Sequence, residues 1–159
     1  MTTTAESEAA QQPRETVAVV EGFEPDLGRL LSNKGGVVVF QPRGSTYELQ
    51  LREPDGGLTA TVGKPLKGYV LVKARKVYTV PTGGAFIQPI MGEPRIVQGR
   101  VTKVVESGVG RRVTVRAGAN VIVDLPADDH AIDLNDGVIE EGQMINVVCA
   151  PGAAFVAAG

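Results

Sequence analysis

The sequence predicts an all-β protein, a compact Greek-key barrel or sandwich of about nine strands, and three observations lead there. Valine outnumbers leucine by 24 to 10, and side chains stiff at χ1 suit pleated surfaces better than helices. Short apolar runs recur along the chain, several of them alternating strictly with polar residues, the period of a half-buried strand. Between them, 20 glycines and 10 prolines supply the turns.

Residues 1–15 are polar, contain Pro13 and are rich in Thr, Glu, Ala and Gln, so they read as a flexible arm. A single β domain is expected over 16–159. Thr16–Val20 reads as a short strand. Glu24–Leu31 reads as the one short helix, with Pro25 in its first turn and Gly35-Gly36 ending it; a further helical turn is expected near Asp133–Asp136. Strands are expected over Val37–Gln41, Thr46–Arg52, Leu58–Val62, Leu66–Thr79, Ala85–Ile90, Arg95–Glu106, Arg111–Arg116, Asn120–Leu125 and Met144–Cys149. Tyr47–Arg52 and Leu58–Val62 both alternate, and Pro54-Asp55-Gly56-Gly57 between them has the chemistry of a chain reversal. Gly92-Glu93-Pro94 is the seam at which two smaller barrels would part, but barrels of that size bury little surface alone, which favours one unit.

Composition narrows the function. A chain of 159 residues with net charge -2 and 43% hydrophobic residues is a globular domain with a sizeable core. Cys149 is the only cysteine, so no internal disulfide forms, and its apolar neighbours Val147, Val148 and Ala150 point to a buried, inert thiol. Met1–Glu15 has neither the basic start nor the apolar run of a signal peptide, and no stretch has the apolar length that crosses a bilayer. The expectation is a cytoplasmic protein without a membrane partner.

Charge is sorted along the chain. Residues 1–60 carry 5 basic and 9 acidic side chains, 61–118 carry 11 and 2, and 119–159 carry none and 7. The middle block therefore places its cations on a few neighbouring strands. In an extended chain Tyr69, Leu71, Lys73 and Arg75 share one face, and Arg112, Thr114 and Arg116 share another opposite Val113 and Val115. Arg100 and Thr102 extend the patch, with Tyr78 and Phe86 beside Tyr69 as candidate stacking surfaces. The expected polyanion site is Lys73, Arg75, Arg100, Arg112, Arg116 and Tyr69, the combination of cations and aromatics that holds single-stranded nucleic acid. Lys and Arg on the wet face of a sheet also protect it from edge pairing, and here they could simply face the acidic C-terminal segment.

Other chemistries fit poorly. Gly57–Pro65 has a phosphate-loop outline, but its glycines are one residue too far apart and Pro65 replaces the magnesium-binding hydroxyl. Gly108-Val109-Gly110-Arg111-Arg112-Val113 lacks the last glycine of a dinucleotide fingerprint and precedes a strand. Asp124, Asp128, Asp129, His130, Asp133 and Asp136 are dense enough for a hard cation, but Gly137 and Glu140 fall out of register with a calcium loop, so a solvated acidic segment is expected. One His and one Cys cannot make a zinc site. Ser32, Ser45 and Ser107 lack the turn of an activated nucleophile. No cofactor, no metal and no enzymatic activity are expected.

From Arg95 onward, the segments Gly99-Arg100-Val101, Val104-Val105-Glu106, Val113-Thr114-Val115, Val121–Pro126 and Glu141–Val147 resemble the small barrels of the OB and TOBE type over residues 95–150. That resemblance implies a five-stranded Greek-key barrel binding on one sheet face or in a loop cleft, commonly nucleic acid for OB folds and oxyanions or regulatory partners for TOBE domains. The leading expectation is thus a non-enzymatic binding module with a basic β face for a polyanion, nucleic acid first. The alternative is an assembly protein forming a homo-oligomer through complementary charged surfaces and the uncharged apolar tail Ala150–Gly159.

Overall fold

The computed structural model describes residues 22–54, 62–107, 110–126 and 139–158. The arm over 1–15, the Thr16–Val20 strand, most of Leu58–Val62 and the Asp128–Asp136 segment with its helical turn lie outside the described residues. Within them the protein is all-β, and its strands join one mixed sheet. In chain order they are β1 (Asp26–Lys34), β2 (Val37–Pro42), β3 (Glu48–Arg52), β4 (Pro65–Val80), β5 (Phe86–Gln88), β6 (Met91–Gly92), β7 (Ile96–Ser107), β8 (Gly110–Arg116), β9 (Asn120–Pro126), β10 (Met144–Cys149) and β11 (Ala154–Ala157).

Two of these strands correct the sequence reading. The helix expected over Glu24–Leu31 is the extended strand β1, in which Gly28 and Leu30 are buried while Arg29 and Leu31 are exposed. That is a period of two, and the pairing of β1 with both β2 and β4 satisfies backbone groups that a two-turn helix would leave largely unmade. Gly35-Gly36 does not end a helix. Both residues have positive φ, 61° and 87°, and they join Lys34 to its partner Val37 as the two central residues of a hairpin turn. The second correction is the apolar tail, whose Ala154–Ala157 form β11, paired antiparallel with Leu71–Gly68 of β4. Of the expected run Ala85–Ile90 only Phe86–Gln88 is strand, as β5 on β7, and β6 follows the run to pair with β3.

The pairings follow one long strand. β1 takes Pro65–Gly68 of β4 and β9 takes Val70–Lys73 in parallel, while β11 takes Gly68–Leu71 and β10 takes Ala74–Val80. Hydrogen bonding then runs from β1 through β2 to β3, and from β10 through β7 and β8 to β9. A bulge sets the faces of β4: Val148 and Cys149, adjacent in β10, stand opposite Lys76 and Ala74, so Arg75 is the extra residue.

One buried cluster runs through the molecule, from Leu30, Val38, Phe40, Leu49 and Leu51 to Val97, Val113, Val123, Ile145 and Val147. Its tightest point joins two rings to two glycines. Phe40 and Phe155 are fully buried with centroids 4.9 Å apart and planes tilted by 42°. A Cβ at Gly28 would come within 2.7 Å of the Phe40 ring, and one at Gly68 within 2.1 Å of the Phe155 ring. The rings thus lie directly on the backbones of β1 and β4, which no residue with a side chain permits. Phe155→Ala is expected to cost about 3–5 kcal/mol by leaving a cavity that these backbones cannot fill, measured by urea denaturation; removal of residues 150–159 is expected to unfold the chain rather than alter its association, seen by circular dichroism.

Candidate functional site

Five cations of the middle block, Lys73, Arg100, Lys103, Arg112 and Arg116, come together on the outer side of β7, β8, β9 and β4. Val113, Val115, Val121, Val123, Val70 and Val72 point into the core, so the alternate residues of those strands face outward. Register arranges them in rows. Arg100 stands opposite Arg116, and Arg116 opposite Asn120; Tyr69 lies one residue before the Val70–Val121 pair. The next row is Lys103, Thr114, Ile122 and Leu71, and the third is Val105, Arg112, Asp124 and Lys73.

Five of the six expected residues, Tyr69, Lys73, Arg100, Arg112 and Arg116, therefore share one face, and Arg75 lies outside the rows at the β4 bulge. They are not equally available. Lys73, Arg100 and Arg116 are exposed. Arg112 is only 16% exposed, forms an ion pair with Asp124 at 3.4 Å and keeps its Nε buried without a hydrogen-bond partner among the described residues. Arg116 donates to Asn120 Oδ1 at 3.0 Å, and Arg100 donates to the Gly142 carbonyl. Tyr69 packs with Leu71 and Val105 against Phe23, Ile122 and Val156. That makes an apolar cluster at the middle of the cationic face.

Several participants were not legible as site residues. Lys103 reaches the face because the register of β7 shifts between Val101 and Lys103, making Thr102 the bulged residue; strict alternation alone assigns the position to Thr102. Phe23 comes from the segment before β1 and is buried on the cluster. The Lys103 ammonium lies 5.5 Å from its ring centroid and donates to the Gly22 carbonyl. Asp26 is the third. Its Oδ2 accepts the Asn120 backbone N–H at 2.9 Å, and burial pushes its pKa from 3.8 up to about 6 against the opposing pull of that hydrogen bond and of Arg116. Only Asn120, ninety-four residues away in sequence, explains that placement.

Elsewhere, burial, with the charge of Glu93, pushes the Cys149 thiol up to about 12. Among the described residues no group of three or more His, Cys, Asp and Glu side chains could hold a metal ion, and no helix is long and apolar enough to cross a membrane. The chain matches no known family model, and no curated protein matches it.

Two titrations check this description. Because the native pKa of Asp26 lies above 3.8, the folded state holds that proton more tightly than the unfolded chain. Its contribution to stability is therefore fully present below 3.8 and is lost as pH rises through about 6. Asp26→Asn keeps the acceptor and removes the charge, so its melting temperature relative to the unmodified chain is expected to rise from pH 4 to pH 8; a difference independent of pH would contradict the buried carboxylate. Cys149 is expected to resist a thiol reagent at pH 8 until denaturant is added.

Proposed function

We propose that this chain is a non-enzymatic binding module whose outer β7–β8–β9–β4 face holds a polyanion, single-stranded nucleic acid being the best fit. The observation that carries the reading is the register that aligns Arg100, Arg116, Lys103 and Lys73 on one side of neighbouring strands. Arg100 and Arg116 face each other directly, an arrangement of like charges that costs stability in a sheet and that an anion between them would relieve. Arg112 serves this face from below, its charge already matched by Asp124. Tyr69 offers the edge of an aromatic surface beside the cations.

A small barrel is the architecture we favour for this half. The pairings β7–β8, β8–β9, β9–β4, β4–β10 and β10–β7 return to their starting strand and support closure, in line with the OB-type resemblance. A cytoplasmic setting suits a lone buried thiol and a nucleic-acid ligand. Assembly into a homo-oligomer is the second reading, and what favours it is a different surface: Ile90 and Met91 are 55% and 64% exposed side by side. In this reading the apolar tail contributes from within the sheet, since Ala154–Ala157 are strand β11.

The test is fluorescence anisotropy with a mixed-sequence single-stranded oligonucleotide across a salt series. Four phosphate contacts predict a slope of log K against log salt of about −3. Arg100→Glu with Arg116→Glu is expected to lower affinity more than about 10-fold and to flatten the slope by about 1.4, with thermal stability preserved. A slope near zero, or a double variant that binds unchanged, would sink the reading.

A further inference from the structure

A cleft of about 720 Å³ opens beside the cationic face, between the β4–β5 loop and the turn that precedes β10. Its size lies within the range of small-ligand sites, and both of its walls are fastened to one strand. On one side the buried Gln98 of β7 donates from Nε2 to the Gly84 carbonyl at 2.8 Å and accepts from Asn146 Nδ2 at 3.0 Å. On the other, the backbones of Val101 and the turn exchange two hydrogen bonds, Val101 N–H to the Gln143 carbonyl and Gly142 N–H to the Val101 carbonyl, each 2.7 Å. Gln143 Oε1 closes the turn by accepting the Glu140 N–H at 2.8 Å. Walls held this way are organised before any ligand arrives.

The chemistry of the lining is one-sided. Among the described residues Arg100 is the only charged one in the lining; Glu140 and Glu141 are exposed and lie outside it. Arg100 uses one Nη1 donor on Gly142, and a guanidinium carries five donors in a planar fork suited to phosphate oxygens. Arg116 stands opposite Arg100 on β8, outside the lining, with its guanidinium on Asn120 of β9. Thr82 and the Gln143 side-chain amide supply uncharged polar groups, and Met144 with Pro81 supplies apolar surface.

We propose that this cleft binds the phosphomonoester group of a nucleotide-sized ligand, with Arg100 taking the phosphate oxygens and the Met144–Pro81 side taking the base or sugar. The ligand is a free mononucleotide or the phosphorylated end of a strand, and the second source rests on the polyanion reading because Arg100 belongs to both surfaces. Gln98 is a positioning residue that acts through the loop wall.

Backbone amide shifts of the full chain, recorded by NMR during titration with AMP, adenosine, inorganic phosphate and one oligonucleotide with and without a 5′-phosphate, test it. AMP is expected to move the amides of Thr79, Val80, Thr82, Gly83, Arg100, Gly142, Gln143 and Met144 and adenosine to move none of them. Arg100→Gln is expected to weaken AMP at least about 10-fold, the loss of a charge-assisted bidentate contact, with an unchanged melting temperature. Gln98→Ala is expected to weaken AMP while leaving the amide shift of Arg100 on phosphate addition in place. A preference for the phosphorylated oligonucleotide over its unphosphorylated form identifies the strand end as a source; equal affinities with AMP bound identify the free nucleotide. Equal binding of AMP and adenosine, or AMP shifts confined to other surfaces, overturns the proposal. If AMP fails while the unphosphorylated oligonucleotide still binds with a steep salt slope, the cleft falls and the polyanion face stands; if neither binds, both fall.

Discussion

Residues Pro65–Val80 form one strand whose edges carry β1 and β9 on one side and β11 and β10 on the other, so nearly every other element is placed by reference to β4. Two local features let one strand do this. Gly68 removes the side chain where Phe155 must lie against the backbone, and the bulge at Arg75 changes which residues face inward just where β10 takes over from β11. Without the bulge, Val77 would turn outward and Lys76 inward, burying a charge without a partner. The Ala150 N–H donates to the Lys73 carbonyl at 2.8 Å and carries the edge across the gap between β10 and β11.

The cationic face follows from the same strand. Lys73 and Tyr69 are on β4, and the parallel pairing with β9 brings Asp124 and then Arg112 beside Lys73. The cations of the basic block are thus graded in space, ion-paired at Arg112 with Asp124 and hydrogen-bonded to neutral groups at Arg100 and Arg116. The apolar patch around Ile122 separates these ends, and Phe23 covers it. The face is consequently a cationic rim around an apolar centre, with the Arg100 end leading into the cleft.

Most strands were legible because their residues alternate or are β-branched, and Met144–Cys149 has the same limits in sequence and structure. What was not legible depended on partners distant in the chain. Pro25, Leu30, Leu31 and the glycine pair carry both helical and strand signals, and only the neighbours of β1 decide between them. The tail Ala150–Gly159 has too few strand formers to identify itself; Phe155 and Val156 become a strand because β4 offers an edge and Gly68 a space. On the face, sequence alternation joined Tyr69 to Lys73 and Arg112 to Arg116, but it also placed Arg75 with Lys73 and could not see the shift at Thr102 that admits Lys103. Nor could it see that Asp124 neutralises Arg112, since cross-strand register is absent from a one-dimensional pattern.

The dependence on β4 is most directly measured by native-state hydrogen exchange of its amides. A shared spine predicts that Val70 and Val72, in the half paired with β11 and β9, exchange through the same global opening as Val77, in the half paired with β10, with equal free energies and equal denaturant dependence. Exchange of the Val70 and Val72 amides through a separate, cheaper opening, with Val77 still protected, would contradict it.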